Sequence, residues 1–143
     1  GRLAQEPVTR SVVCAVLFGA AMALSGCGRP TDPADVADRF VALYYVQMSQ
    51  GEALELTTGR ATRILEHELS AVQAIRDRGY GPSQARPAAY FRRVRMTIAA
   101  ESATASYVLR TEVASTRVRR RIDLDLRRQP DGWRISDFHQ IEL

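Results

Sequence analysis

The sequence of 143 residues contains no lysine, so all 20 of its Lys and Arg residues are arginine. Alanine is frequent as well, and we interpret both features as the codon preference of a GC-rich genome before assigning them a function. The formal net charge is only +4. A surplus of this size, taken alone, neither requires nor excludes an anionic partner.

Cysteine is nearly as scarce, since the sequence holds only Cys14 and Cys27. Both lie in the first 27 residues, within or at the end of a segment that has the features of a leader. If that leader is removed, the folded domain keeps no other thiol. An internal disulfide, a paired-cysteine metal site and a cysteine nucleophile are therefore excluded from the domain.

The sequence also lacks the short motifs that bind phosphates or metals. It has no phosphate-binding glycine loop, no His-Glu-x-x-His zinc motif, no Gly-x-Ser-x-Gly nucleophile turn and no carboxylate-rich calcium loop. We therefore expect no metal and no cofactor. The length leaves room for one small domain and excludes a second catalytic domain.

The N-terminal segment has the parts of a secretory signal. Arg2 and Arg10 precede an uncharged run over residues 11–25, and the run ends in Leu24-Ser25-Gly26-Cys27. This ending resembles the bacterial lipobox. The resemblance implies cleavage between Gly26 and Cys27 and acylation of the Cys27 thiol with fatty acids such as palmitate.

The predicted organisation is therefore a signal peptide over residues 1–26, a lipidated tether over 27–32 and a domain over 33–143. An uncleaved transmembrane helix over residues 11–28 is the alternative, and it leaves the domain on the same side of the membrane. Gly28 is not the aspartate typical of inner-membrane retention. The outer membrane is then the default location if the organism has one.

The first half of the domain has helical periodicity. Asp32 and Pro33 predict a helix start, and the spacing of the apolar residues predicts helices over 33–49, 52–58 and 60–78. The glycine and prolines of residues 80–87 predict a loop. The helical half is thus expected to end before residue 88.

The second half alternates with period two, in four stretches joined by short connections. This pattern predicts an antiparallel meander with two-residue turns at Ala114-Ser115 and near Pro130-Asp131. Helices followed by a curved four-stranded sheet give an α+β fold. This order, with the ending Gly132-Trp-Arg-Ile-Ser136, resembles the nuclear transport factor 2-like, cystatin-like superfamily over residues 33–143, which implies a cone-shaped pocket between helices and sheet.

Polar residues on the predicted inward faces are the candidate pocket residues. If the last strand is regular, Leu126 faces Ile135, Leu124 faces Asp137 and Ile122 faces His139. Glu68 lies within the apolar stripe of the third helix. The candidate pocket residues are Tyr107, Arg120, Asp137, His139 and Glu68.

A β-bulge near residues 136–138 is the alternative for the last strand. It would turn Phe138 inward and expose Asp137 or His139. An Asp–His pair in a pocket suits general acid–base catalysis, whereas a bulged strand leaves ordinary structural ion pairs. The two registers therefore predict different functions.

Arginine-rich stretches occur over residues 92–93, 117–121 and 127–128, and the predicted register places Arg117, Arg119, Arg121 and Arg127 outward beside Asp123 and Asp125. We interpret this face as a solvated surface that opposes edge pairing, and we predict no nucleic-acid partner for an exported chain.

The predicted function is a membrane-anchored, non-catalytic module that binds an envelope protein or a small apolar ligand. The alternative is a small isomerase-like or dehydratase-like enzyme that uses Asp137 and His139. The superfamily resemblance also implies a homodimer formed through the sheet as a third prediction.

Overall fold

The computed structural model describes residues 31–79 and 87–143. Within these residues three α-helices precede four strands, which confirms the predicted α+β order. Cys27, Gly26, the predicted signal peptide and most of the loop before the first strand lie outside the described residues. In chain order the elements are α1 (Pro33–Val41), α2 (Gln50–Leu54), α3 (Gly59–Asp77), β1 (Ala88–Ile98), β2 (Ser102–Val113), β3 (Thr116–Gln129) and β4 (Gly132–Glu142).

Helix α1 begins as its sequence predicts. The side chain of Asp32 accepts a hydrogen bond from the backbone N–H of Ala34 at 2.7 Å, and Pro33 occupies the first helical position. The chain then continues through one turn of π-helix over Ala42–Val46 and leaves it at Met48, whose φ is 54°. The single predicted helix over 33–49 is therefore shorter and interrupted. Within the described residues, no helix has the length and hydropathy needed to cross a bilayer.

The four strands form one antiparallel sheet in the order β1-β2-β3-β4. The turn at Ala114-Ser115 places Tyr107 opposite Ile122, as predicted. Ala114 has a φ of 53°, in the left-handed region that such tight turns use. The pairing of β2 with β3 is regular along its whole length. Odd-numbered residues of β2 and even-numbered residues of β3 therefore face the core, as the alternation predicts.

The core lies between the helices and the inner face of the sheet. Alternate residues of β2 and β3 point inward against α1, which is the period expected of a half-buried sheet. The fully buried side chains with the largest volumes are Tyr107, Phe40, Leu65, Ile122, Leu124, Leu126, Ile135, Val36 and Val41.

Helix α3 buries only part of its apolar stripe. Ala61 and Leu65 are buried, Leu69 and Val72 are half-buried, and 51% of Ile75 is exposed. The C-terminal half of α3 therefore keeps apolar surface that the rest of the described chain does not cover.

Strand β4 contains a bulge at Ser136. Leu126 pairs with Ile135, but Asp125 pairs with Asp137, so Ser136 is an extra residue without a partner position on β3. One extra residue reverses the parity of everything that follows it. Phe138 therefore faces the core and is only 8% exposed. The register in which Asp137 and His139 point inward is wrong, and the bulged alternative is the one observed.

Hydrogen bonds on both edges of β4 hold the bulge in place. On the free edge, the N–H of Ile135 donates to the carbonyl of Leu56 and the carbonyl of Ile135 accepts from the N–H of Thr58, both at 2.8 Å. On the β3 edge, the hydroxyl of Ser136 donates to the carbonyl of Asp125 at 3.1 Å. Because the segment before α3 binds the strand just ahead of Ser136, the extra residue cannot shift along the strand without breaking these bonds.

Strand β1 has a second bulge, at Val94. Arg93 pairs with Tyr107 and Arg95 pairs with Ser106, so Val94 has no partner and is 46% exposed. Strict period-two alternation, in phase with inward Met96, would place Val94 inward and Arg93 outward. That assignment is wrong because the extra residue moves Arg93 to the inner face.

Replacement of Phe138 and of its neighbour tests the β4 register. We expect Phe138→Ala to lower the free energy of unfolding by about 3–5 kcal/mol, because it empties a core position. His139→Ala on the same strand should cost less than about 1 kcal/mol, because its imidazole is exposed. Urea denaturation of both variants measures the difference, and equal or reversed costs would contradict the bulge.

Candidate functional site

The five candidate pocket residues do not form one cluster. Tyr107 lies in the core, Glu68 lies beside Tyr44, and Arg120 is half-buried on β3. Asp137 lies beside the start of α3, and His139 lies on the outer face of the sheet. The predicted Tyr107–Arg120–Asp137–His139 cluster is therefore not present, because the bulge at Ser136 turns the last two of these residues away from the cone.

Buried Tyr107 is hydrogen-bonded to Asp38, which also pairs with Arg93, and both of these charged side chains reach solvent. The phenol donates to Oδ1 of Asp38 at 2.6 Å, and Nη1 of Arg93 donates to the same oxygen at 2.9 Å. Burial raises the pKa of the Tyr107 phenol above its usual range, and the hydrogen bond to the Asp38 carboxylate raises it further. The phenol of Tyr107 therefore keeps its proton and donates it in the hydrogen bond to Asp38.

Glu68 accepts a hydrogen bond from the half-buried phenol of Tyr44, whose single O–H is shared between the two carboxylate oxygens. The hydroxyl of Tyr44 lies 2.7 and 2.9 Å from the two carboxylate oxygens. Burial raises the pKa of Tyr44 above its usual range, and Glu68 adds to the shift. Burial also raises the pKa of Tyr45, where Glu68 acts in the same direction and Arg120 opposes it. The charges of Glu68 and Arg120 thus act on Tyr45 in opposite directions.

Asp137 has a structural environment. Its Oδ1 accepts a hydrogen bond from the N–H of Phe138 at 2.8 Å, and its Oδ2 lies 3.2 Å from Nη1 of Arg60. Arg60 is in the first turn of α3, so this exposed ion pair links the helix start to the strand that carries the bulge. The carboxylate is not directed into the cone.

His139 pairs with an acid on the outer face of the sheet. Its Nε2 lies 3.3 Å from Oδ2 of Asp123, and Arg121 and Ser106 bind the same carboxylate at 3.0 and 2.7 Å. Although partial burial opposes the effect, the hydrogen bonds from Ser106 and Arg121 hold the pKa of Asp123 below its usual range. His139 therefore belongs to a surface charge network.

Aromatic rings fill the space where the superfamily resemblance implied a cavity. Phe138 lies 5.1 Å from Phe40 and 5.0 Å from Tyr44, measured between ring centroids. Phe40 stacks on Tyr44 at 5.5 Å. Tyr107 and Ile122 are fully buried beside them. The interior formed by the described residues is thus a packed core.

Several depressions, with volumes of about 460 to 700 Å³, lie on the surface of the described residues, among them one on the helical layer and one on the sheet. The first, which we call the α3 groove, has a volume of about 540 Å³ and lies between the segment over residues 48–51 and α3. The second, the arginine groove, has a volume of about 560 Å³ and lies on the outer face of the sheet. Among the described residues, no group of three or more His, Cys, Asp or Glu side chains is placed to hold a metal ion.

Comparison with known proteins supports the fold. No protein-family model matches the chain, and no curated protein matches it. A similar solved structure is a protein from Thiobacillus denitrificans described as a calcium/calmodulin-dependent protein kinase type II association domain. The two structures superpose with a TM-score of 0.58 at 15% identity, over 80% of this chain and 99% of the other.

The fold is nuclear transport factor 2-like. That neighbour has this fold, and the described helices and curved four-stranded antiparallel sheet match it. The identity of 15% carries the fold alone and no function.

Sequence reasoning missed the residues that partner the candidates. Asp38 and Arg93 hold Tyr107, Tyr44 holds Glu68, and Arg60 holds Asp137. The sequence did carry one usable signal, because Asp38 follows buried Ala37 within α1 and so borders its apolar face. Arg93 and Arg60 gave no such signal, since their positions depend on the two bulges and on the packing of α3 against β4.

Alkaline titration tests the buried tyrosines. Unfolded tyrosines ionise near the ordinary pKa of 10.0, whereas the folded-state pKa values of Tyr44, Tyr45 and Tyr107 are raised. Their contribution to stability is therefore complete below pH 10 and falls as the pH rises above it. We expect three of the five tyrosines to form tyrosinate only as the domain unfolds. Tyrosinate absorbance and circular dichroism measure both events, and Tyr107→Phe should remove one tyrosine from the late phase. Ionisation of all five while the fold persists would contradict the hydrogen-bonded core.

Proposed function

We propose that this protein is a membrane-anchored envelope lipoprotein whose domain is a non-catalytic module for binding a partner protein. The observation that carries the proposal is the packed interior, in which the buried phenols are already hydrogen-bonded to carboxylates. A domain without an open cone acts through its surface. The α3 groove is the surface best suited to a protein partner.

The α3 groove combines apolar residues with a polar rim. Met48 is 55% exposed, and Leu69 and Val72 are half-buried along the same side of α3. Gln73 and Arg76 lie at its edge. An apolar centre with a polar rim is the usual arrangement of protein interfaces, and methionine adapts its shape to what binds it.

A partner protein fits the α3 groove better than a small apolar ligand. Small ligands bind in sites that bury most of their surface. The α3 groove is a shallow depression formed by a helix and one short segment. An inserted side chain of a protein would be covered by the rest of that protein.

The membrane anchor is supported by the lipobox resemblance at Leu24–Cys27. Two or more acyl chains on one cysteine, each contributing about 0.8 kcal/mol per buried CH₂, make release from a bilayer slow.

The enzyme alternative requires Asp137 and His139 in one pocket. Because Asp137 binds Arg60 and His139 binds Asp123, we do not propose it.

Mass spectrometry of the native protein tests the anchor. We expect the first peptide to begin at Cys27 and to carry acyl chains on the thiol and on the new amino group. A Cys27→Ser variant should lack the acyl chains and should be retained as the uncut precursor. An intact, unacylated N-terminus in the native protein would refute the lipoprotein assignment.

Site-specific photo-crosslinking in native membranes tests the α3 groove. A photoreactive amino acid at Gln73, which lines the groove, should give a discrete adduct with one protein. The same amino acid at His67 is the matched control, because His67 is exposed on the opposite side of α3. The Gln73 adduct should be lost when Val72→Asp places a charge in the groove.

Adducts of equal strength at Gln73 and His67 would contradict a defined interface. An adduct with a lipid or another small molecule at Gln73 would favour the apolar-ligand alternative. The thermal unfolding of the Val72→Asp variant must match that of the parent, because the lost adduct is informative only if the domain is folded.

A further inference from the structure

The outer face of the sheet has a basic half and a half of mixed charge. Tyr90, Arg110 and Arg119 lie side by side on β1, β2 and β3, and Arg92, Val108 and Arg121 form the next row. Further along the same face, Asp123, Asp125 and Asp137 lie among Arg95, Arg127 and Arg134. The surplus of positive charge on this face is therefore concentrated toward the turn between β2 and β3.

The arginine groove occupies this basic half. It is lined chiefly by Tyr90, Arg92, Val108, Arg110, Arg117 and Arg119. Glu112 is the one carboxylate among the described residues that pairs with these arginines, at 3.6 Å from Nε of Arg110 and 3.3 Å from Nε of Arg117. Four guanidinium groups thus face one carboxylate, which leaves the groove with a positive charge.

Exposed apolar side chains border the arginines. Tyr90 is 56% exposed, Ile141 is 43% exposed and Leu143 is 62% exposed. Ile141 pairs with Arg121, and the N–H of Leu143 donates to the carbonyl of Arg119, so both lie at the basic half of the sheet. The guanidinium carbon of Arg110 lies 5.3 Å from the centroid of the Tyr90 ring. Cations next to an aromatic ring and aliphatic side chains are typical of surfaces that meet lipid head groups.

We propose that the basic half of the outer sheet face docks on an anionic phospholipid bilayer. The arginines would bind the phosphates of the head groups, and Tyr90, Ile141 and Leu143 would enter the interfacial layer. The half of mixed charge would contribute less to the contact, since its aspartates are repelled by the same surface. This inference extends the proposed function, because it states how the anchored domain sits on its membrane.

The entry point of the chain favours this orientation. Nη1 of Arg93 donates to the carbonyl of Ala34 at 3.4 Å, so α1 begins beside the edge strand β1. Arg92, the preceding residue of β1, lines the arginine groove. Ala34 is seven residues after Cys27, and that many residues span at most about 25 Å when fully extended. An anchor on so short a tether keeps β1 close to the bilayer.

An anchored domain also needs little affinity for the surface. Tethering makes the contact intramolecular, so that a weak attraction is enough to keep the face docked. Each arginine near an anionic surface strengthens partitioning about five-fold. In this orientation the helices, and with them the α3 groove, point away from the lipid, where a partner protein reaches them.

Arginine footprinting tests the docked orientation with the native protein. The purified protein is reconstituted in vesicles of phosphatidylcholine alone or of phosphatidylcholine with an equal part of phosphatidylglycerol. An arginine-specific dicarbonyl reagent is added, and the modification rate of each arginine is read by mass spectrometry. We expect Arg92, Arg110 and Arg119 to react at least about five-fold more slowly on the anionic vesicles.

Arg63 on α3 and Arg78 directly after it are the internal controls, because both are exposed and neither lines a groove. Their rates should be the same on the two kinds of vesicle. Equal slowing of the control and sheet arginines, or no slowing at all, would overturn the proposal. If the slowing of the sheet arginines depends on protein concentration and not on phosphatidylglycerol, the face binds a second copy of the chain and the proposal is wrong. If free inorganic phosphate or an acidic protein protects the same arginines at the same ionic strength, the ligand is a different one and the proposal is also wrong.

A pair of double variants separates the groove from total charge. Arg92→Gln with Arg119→Gln should abolish the slowing at Arg110, and Arg63→Gln with Arg78→Gln should leave it intact. Loss of the slowing in both double variants would contradict a specific surface. The mass spectra of the parent sample also report acylation at Cys27, so a failed anchor and a failed docking face give different results.

Discussion

The packing of Phe138 against Phe40 and Tyr44 is the interaction on which the rest of this structure depends. It exists because Ser136 adds one residue to β4 and reverses the parity of the strand after it. The ring then fills the space between the sheet and α1, at 5.1 and 5.0 Å from its two aromatic neighbours. A regular strand would place Asp137 and His139 there instead.

The same reversal decides which surfaces the protein can use. With Phe138 inside, His139 joins Asp123 on the outer face and Asp137 joins Arg60 at the start of α3. The phenols of Tyr107 and Tyr44 donate their protons in hydrogen bonds to Asp38 and Glu68, and within the described residues Asp137 and His139 do not face the cone. The packed interior around Phe138 is thus a result of one extra residue. It is consistent with the proposed binding function.

Features that depend on neighbouring residues were predictable from the sequence. Features that depend on contacts between residues far apart in the chain were not. The Asp32 cap, the two-residue turn at Ala114-Ser115 and the inward parity of β2 and β3 depend on neighbouring residues, and each was found as predicted. The bulge at Ser136 depends on the hydrogen bonds that Ile135 makes with Leu56 and Thr58, which lie far away in the chain. Period-two alternation contains no information on such a partner.

The candidate site shows the same limit at the level of single residues. Glu68 was identified by its helical phase, because α3 is a regular helix. Its partner Tyr44 was assigned to an apolar face, since a regular helix through residue 44 gives no reason to pair its hydroxyl with a residue on α3. Strict alternation would place Arg93 outward, because the bulge at Val94 has no clear sequence signal. Periodicity therefore could not predict the two bulges, which determine the side chains that the sheet exposes.

The contacts of the Phe138 ring test the account most directly. In a nuclear magnetic resonance experiment on the folded protein, the account predicts strong nuclear Overhauser effects from the ring protons of Phe138 to those of Phe40 and Tyr44, and none from the imidazole of His139 to either ring. Contacts from His139 to Phe40, with Phe138 in solvent, would show that β4 is regular and would contradict the packed cone.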